Sequence, residues 1–193
     1  RRTGLGITAE GDMLAALGLR YGSEEAIDFA VEVHKTLAVE AYRASVMMAK
    51  DRGAFGVFNF EKEQGNPMVG RILEAAPELR ELMQQYGRRN IAMLTIAPTG
   101  TTSLMSQTTS GIEPVFRPVY KRRRKINPSD KDQVASFVDE TGEKFIEYYV
   151  YHHQFVKWAE INGYDTSRLQ TITEQELDEM LKASPYHEAT AND

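Results

Sequence analysis

Residues Asn90 to Pro114, NIAMLTIAPTGTTSLMSQTTSGIEP, leave a chain few ways to fold. Ile91 to Ile96 is a near-continuous apolar run, which suits a strand covered on both faces, as in a parallel α/β sheet. Pro98 ends such a strand because proline has no N–H to give the ladder. Gly100 offers a backbone turn that other residues resist. Thr99, Thr101, Thr102 and Ser103 crowd hydroxyls around it, and any of Thr101, Thr102 or Ser103 can cap a helix starting near Leu104. The expectation is a strand over 90–96, a turn at 97–100 and a helix beginning within 101–104. A strand, a glycine turn and a hydroxyl-rich helix start make a place to hold an anion, since free N–H groups point outward and the helix dipole favours negative charge. Plain helix capping accounts for the same hydroxyls. The stretch is neither a Walker loop, which needs Gly-Lys-Ser/Thr, nor a Gly-x-Gly-x-x-Gly dinucleotide fingerprint.

The elements ahead of this stretch read as helices. Thr8 can cap a helix running to Ala16 or Leu17 and stopped by Gly18. Ser23, with Glu24 and Glu25 behind it, caps the longest helix, which Gly53 terminates. Apolar residues recur along it at Ile27, Ala30, Val31, His34, Ala38, Ala41, Ala44 and Met48, with a second line at Phe29, Val33 and Leu37. So wide an apolar surface predicts burial on most sides, with Met47 and Met48 filling core space and His34 a hydrogen-bonded core residue. Gly53 to Pro67 reads as a loop anchored by Phe55, Phe58 and Phe60. Pro77 opens a helix to Tyr86, closed by Gly87, with Arg88 and Arg89 as partners for its negative end. Helix, strand, helix in this order is the rhythm of an α/β barrel.

After Pro114 the character changes. Lys121 to Lys125 is an unbroken basic run that could touch nucleotide phosphates or another polyanion; in an acidic chain a solvated strand or hairpin arm is the better reading. Asn127-Pro128-Ser129-Asp130 is a turn, and Val134–Val138 and Phe145–Tyr151 are strands about Glu140 to Glu143. His152 and His153 precede a helix from Gln154 to Ile161 that Gly163 ends. Adjacent histidines diverge on a helix, so they make a poor metal pair, and with no acid nearby they are assigned to surface and interface. Thr173 with Glu176 forms a capping box for a last helix to Lys182. Three segments follow from this: 1–116 with the anion loop, 117–151 as a small β excursion, and 152–193 as a helical segment.

The wording of the central stretch is more specific than its physics. Ile96 to Met105, then Thr108-Thr109-Ser110-Gly111-Ile112-Glu113-Pro114, resembles the large catalytic chain of ribonucleotide reductases, most closely the adenosylcobalamin-dependent (class II) branch. Gly100 stands where the oxygen-dependent class I loop, of Pro-Ser-Glu-Thr-Ser type, carries Glu. Arg2 to Ile7 with Asp12 and Leu17-Gly18, and Arg89-Asn90 ahead of the strand, are similar to the same family. So is Ala183-Ser184-Pro185-Tyr186 onward, apart from Glu188, where a glycine is common. Ala9-Glu10-Gly11 departs from the Gly-Leu-Ala type of that family, and Gly11 should weaken its helix.

The resemblance implies an α/β fold, a fragment of a ten-stranded α/β barrel. It places the phosphates of a ribonucleotide substrate on Pro98, Thr99, Gly100, Thr101 and Thr102. It implies an enzyme that makes 2'-deoxyribonucleotides by radical chemistry, in which adenosylcobalamin generates a thiyl radical that abstracts the ribose 3'-hydrogen. The cofactor belongs to the full-length parent and is not expected on this piece. The implied partners are the ribonucleotide, the remainder of the parent chain and a dithiol reductant such as thioredoxin, in the cytoplasm.

Composition sharpens this. The chain of 193 residues has no cysteine, which excludes disulfides, thiolate metal sites and thiol catalysis within it. The catalytic cysteines of the family must then lie elsewhere in a longer chain, and this piece should be inactive alone, with no catalytic or metal-ligating residue of its own. Lys and Arg total 23 against 28 Asp and Glu, a net charge of −5 that argues against a general nucleic-acid binder. No apolar run approaches a membrane span. Two alternatives stay open: a class I large chain working with a separate radical-bearing subunit, and a non-enzymatic phosphate- or nucleotide-binding module.

Overall fold

Two short strands lie side by side and parallel: β1 (Arg2–Leu5) pairs with β2 (Ala92–Leu94), with Arg2 opposite Ala92 and Leu5 opposite Leu94. This is a computed structural model, and it describes residues 2–127, 129 and 133–187. The chain between the strands is helical: α1 (Glu10–Ala16), α2 (Glu24–Arg52), α3 (Phe60–Glu63), α4 (Pro67–Ala75) and α5 (Leu79–Tyr86). After β2 come α6 (Gly100–Ser106), β3 (Val119–Lys125), β4 (Phe137–Val138), β5 (Lys144–Tyr151), α7 (His153–Ile161), a 3-10 turn at Thr166–Arg168, and α8 (Glu174–Ala183). The chain divides into two units, residues 2–8 with 23–99, and residues 9–22 with 100–187.

In the first unit α2 lies against α4, α5 and β2. Ala38, Tyr42 and Val46 meet Val69, Ile72, Leu73, Leu79, Met83 and Met93 in one buried cluster. Ser23 caps α2 by accepting the Ala26 N–H at 3.2 Å, and Gly53 ends it at φ 77°, as the sequence predicts. Burial on most sides is not found. The covered stripe runs through Ala38, Tyr42, Ser45, Val46 and Ala49, while Ile27, Phe29, Val31, Met47 and Met48 are exposed. A helix covered by neighbours on one side buries one stripe, however apolar the rest of it is. The strand is likewise shorter than 91–96: Met93 is buried, but Ile91 and Ile96 are exposed. Helix α4 was not foreseen. Asn66 caps it by accepting the Met68 N–H at 2.9 Å, and Pro67 opens its first turn.

The close approach of β1 to the strand end fixes the glycines of Gly4-Leu5-Gly6. The Thr95 N–H donates to Leu5 O at 2.9 Å, and a Cβ on Gly6 would stand 2.0 Å from Thr95 O. These glycines serve packing.

In the second unit β3, β5 and β4 form an antiparallel sheet in that order, with Val119 opposite Tyr151 and Lys125 opposite Phe145. The basic run is a strand, as expected, and alternate side chains meet acids: Lys121 pairs with Glu174 at 2.7 Å, Arg123 with Glu147 at 2.6 Å, and Lys125 with Glu143. Strand β4 is shorter than Val134–Val138, and Val134 is exposed. The turn expected at 127–130 rests on Pro128 and Asp130, outside the described residues, as is Glu188. Phe155 and Ala159 of α7 pack with Leu177 and Met180 of α8, Leu169, Ala15 and Tyr186. The Thr173–Glu176 capping box is present.

Candidate phosphate-binding segment and the Asp12 cluster

Thr99, and not Gly100, carries the left-handed backbone of the expected turn, at φ 50°. Positive φ in a β-branched residue is an outlier that persists only where its surroundings hold it. The hydroxyl of Thr99 lies 2.8 Å from that of Thr8, and Thr8 is not the N-cap residue of α1. Ala9 takes that position, with φ 66° and no side-chain cap. Gly100 is the first residue of α6 and has open space where a Cβ would stand, so nothing local demands glycine there.

Helix α6 starts one residue ahead of the expected range. Its hydroxyls do not all serve as caps. Ser103 donates to Gly100 O at 2.8 Å and Ser106 to Thr102 O at 2.9 Å, bonding back to helix carbonyls. Thr101 and Thr102 are exposed on the first turn, where N–H groups lack carbonyl partners within the helix. No Lys or Arg lies between Asn90 and Phe116, so the local field for an anion comes from backbone dipoles.

The second turn, Gln107 to Gly111, is left-handed at both ends, with φ 58° and 55°. It is clamped onto α1 by three consecutive residues. The Glu10 N–H donates to Gly111 O at 3.2 Å. Gly11 comes so near that a Cβ would sit 2.7 Å from Glu113 O. Asp12 accepts the Thr109 N–H at 2.7 Å on Oδ2, and its own N–H donates to the Thr109 hydroxyl at 3.2 Å. Gly11 therefore admits close backbone approach, which the expectation of a weakened helix left out.

Asp12 is itself buried, 6% exposed, and its other oxygen, Oδ1, accepts the Tyr186 O–H at 3.0 Å and lies 2.8 Å from His152 Nε2. His152 thus has an acid partner, which corrects its assignment to the surface; His153 stays exposed. Burial pushes the Tyr186 phenol well above its ordinary range, and the Asp12 charge adds to this. Sequence separation hid the cluster: Asp12 is 140 residues from His152. The signal for it was Asp12 itself, an acid within a family motif. Among the described residues no group of three or more His, Asp or Glu is gathered to hold a metal, and no helix is long and apolar enough to cross a membrane.

Residues 1–186 match the family described as ribonucleotide reductase, barrel domain. The chain belongs to that family. It is 36% identical over 122 residues to the vitamin B12-dependent ribonucleoside-diphosphate reductase of Mycobacterium tuberculosis, covering 63% of this chain and 15% of that protein. A Thermoplasma acidophilum protein of the same name is 33% identical over 125 residues, covering 63% and 14%. The Chlamydia pneumoniae ribonucleoside-diphosphate reductase subunit alpha is 29% identical over 139 residues, covering 62% and 13%. The matched part of the reductase-family chain is thus a small share of these relatives' length. The mixed helix and strand content agrees with the family.

Proposed function

We propose that this chain supplies part of the wall of a ten-stranded α/β barrel, through residues 1–116, and the substrate phosphate clamp of a ribonucleoside di- or triphosphate reductase. The parent enzyme makes 2'-deoxyribonucleotides by radical chemistry in the cytoplasm, drawing electrons from a dithiol such as thioredoxin. The observation that carries this is the strand–turn–helix of residues 92–106 inside a barrel-domain match of 186 residues. Pro98 and Thr99 set the turn. Gly100, Thr101 and Thr102 offer first-turn N–H groups and two exposed hydroxyls to the phosphates. Charge-assisted hydrogen bonds and the dipole neutralise the anion, with help from cations distant in sequence.

The chain contributes binding and no redox step, because it has no thiol to carry a radical or exchange a disulfide. The names of the Mycobacterium and Thermoplasma relatives favour adenosylcobalamin as the parent's cofactor, which would supply the initiating radical. Grooves of about 310 and 350 Å³ in the second unit and about 200 Å³ in the first are each too small to enclose a corrinoid by themselves. The Chlamydia relative, named as a subunit, favours the second reading, a class I chain with a separate radical-bearing subunit. A non-enzymatic module is not favoured, because the match runs far beyond the loop.

The test is Thr101→Ala with Thr102→Ala in the full-length enzyme. If each hydroxyl contributes near the low end of about 1.5–3 kcal/mol for a hydrogen bond to a charged group, nucleotide affinity should fall by about one to two orders of magnitude, with the melting temperature unchanged. Binding like the wild type would reduce these hydroxyls to helix surface. The chain alone should form no deoxyribonucleotide when given adenosylcobalamin and a dithiol.

A further inference from the structure

We infer that Asp12 is a positioning residue for the phosphate segment, holding the turn 107–111, and with it the C-terminal end of α6, through the backbone N–H of Thr109; this rests on the phosphate reading of residues 98–102. The turn is left-handed at Gln107 and at Gly111, and backbone bonds brace its edges, Thr108 N–H to Ser103 O at 3.0 Å and Glu113 N–H to Ser110 O at 3.2 Å. Thr109, midway between them and three residues past the end of α6, is where an anchor has most effect. The anchor there is a carboxylate at 2.7 Å, and hydrogen bonds with an ionised acceptor are roughly twice as strong as neutral ones. The carboxylate is in turn fixed in direction, because Tyr186 and His152 engage its other oxygen. Asp12 thus has one oxygen for the turn and one for the body of the second unit. The Glu10 N–H to Gly111 O, Asp12 N–H to Thr109 hydroxyl and Gln154 to Gln107 O bonds do not depend on the Asp12 side chain, so removing the carboxyl loosens the turn at the Thr109 N–H without detaching it.

The geometry sets an order among variants. In Asp12→Asn the amide oxygen can keep the Thr109 N–H, while its NH2 donates to the Tyr186 oxygen and to His152 Nε2 in the alternative tautomer. Asp12→Glu keeps the charge but carries it one methylene further from the turn. Asp12→Ala keeps neither arm. Positioning therefore predicts that Asn restores function and Glu does not; a purely electrostatic role predicts the reverse.

The experiment uses the full chain, inorganic pyrophosphate as probe, calorimetric Kd, and amide exchange at 103–109. Asp12→Ala and Asp12→Glu should raise Kd tenfold or more and speed exchange at Thr108 and Thr109 by a similar factor. Asp12→Asn should stay within threefold of wild type on both. Leu177→Ala, a core change on α8, should lower the melting temperature with Kd within threefold. Wild-type Kd in the Ala and Glu variants overturns the inference and leaves the phosphate reading standing. Kd that follows melting temperature across all four variants, or a Glu variant that binds better than the Asn variant, also overturns it. A wild-type chain that binds no pyrophosphate overturns the phosphate reading, and this inference with it.

Discussion

Arg88 grips Glu63 at two points, Nε to Oε2 and Nη2 to Oε1, both at 2.9 Å. The third nitrogen, Nη1, donates to the carbonyls of Asn90 and Ile91, at 3.1 Å for Ile91. The guanidinium lies over the rings of Phe55 and Tyr42, 5.0 and 5.8 Å from their centroids. Arg88 is thus the fixed point from which β2 leaves. Its expected role at the end of α5 goes unfilled, and Arg89 donates instead to the carbonyls of Arg52 and Gly53, at the end of α2. With side chains only 7% and 17% exposed, the pair behaves as a buried one. Glu63→Ala should cost about 3 kcal/mol, because it strands a buried charge. Urea denaturation measures this, and a loss under about 1 kcal/mol would place the pair among exposed ion pairs.

Gly6 and Gly70 should respond to alanine in opposite directions. At Gly6 the new Cβ meets the Thr95 carbonyl at 2.0 Å, so β1 must move off the strand end. The expected loss is about 3 kcal/mol, the upper range for overpacking. Gly70 lies inside α4 with nothing within 4 Å of an added Cβ. Alanine there should gain about 0.5–1 kcal/mol from helix propensity and a less flexible unfolded chain. Equal shifts in melting temperature for the two variants would contradict this.

Stability should decline at alkaline pH through one half-buried and one buried phenol, Tyr151 and Tyr186. Burial pushes Tyr151 up to about 12, with Tyr149 adding to it, and its O–H donates to Leu169 O at 2.5 Å. Tyr186 is displaced in the same direction. A phenol whose folded pKa exceeds its unfolded value of about 10 contributes fully below about pH 10 and progressively less as pH rises toward the folded value. Denaturation midpoints taken from about pH 9 to about pH 11.5 should fall, and Tyr151→Phe should flatten the fall. Identical slopes in variant and wild type would remove Tyr151 as a cause.

Thr173→Ala tests the cap of α8. The Thr173 hydroxyl accepts the Glu176 N–H at 3.2 Å, and the Glu176 carboxylate accepts the Thr173 N–H at 3.0 Å. Losing the hydroxyl half of this box, while the backbone N–H of residue 173 still donates to Glu176, should cost about 1 kcal/mol, read from thermal melting. The Lys121–Glu174 contact beside it is exposed and should contribute no more than about 1 kcal/mol. A larger effect from Lys121→Ala than from Thr173→Ala would reverse that ranking.

What was legible in the sequence was mostly local. Ser23, Gly53, Gly18 and the Thr173–Glu176 box mark helix ends because their partners lie within a few residues. Asn66-Pro67 carried the same kind of signal for α4. The apolar run at 91–96 announced a strand but not its length, since pairing with β1 stops at Leu94. The hydroxyls of 99–103 announced a turn and a helix, but not which residue would take positive φ; that fell to Thr99 beside Thr8.

By itself, then, the sequence determined most kinds of element, the caps of α2 and α8, the stop of α2, and, through the wording of residues 96–114, the family. Only the tertiary structure decided which face of α2 is covered, that Gly6 lies against the Thr95 carbonyl, and that Asp12 gathers Thr109, His152 and Tyr186. The physical reason is range. A cap or a helix stop is settled by hydrogen bonds across a turn of chain. The partners of Asp12 lie 97, 140 and 174 residues away, and no local preference encodes which distant donors will face a buried carboxylate once the chain has packed.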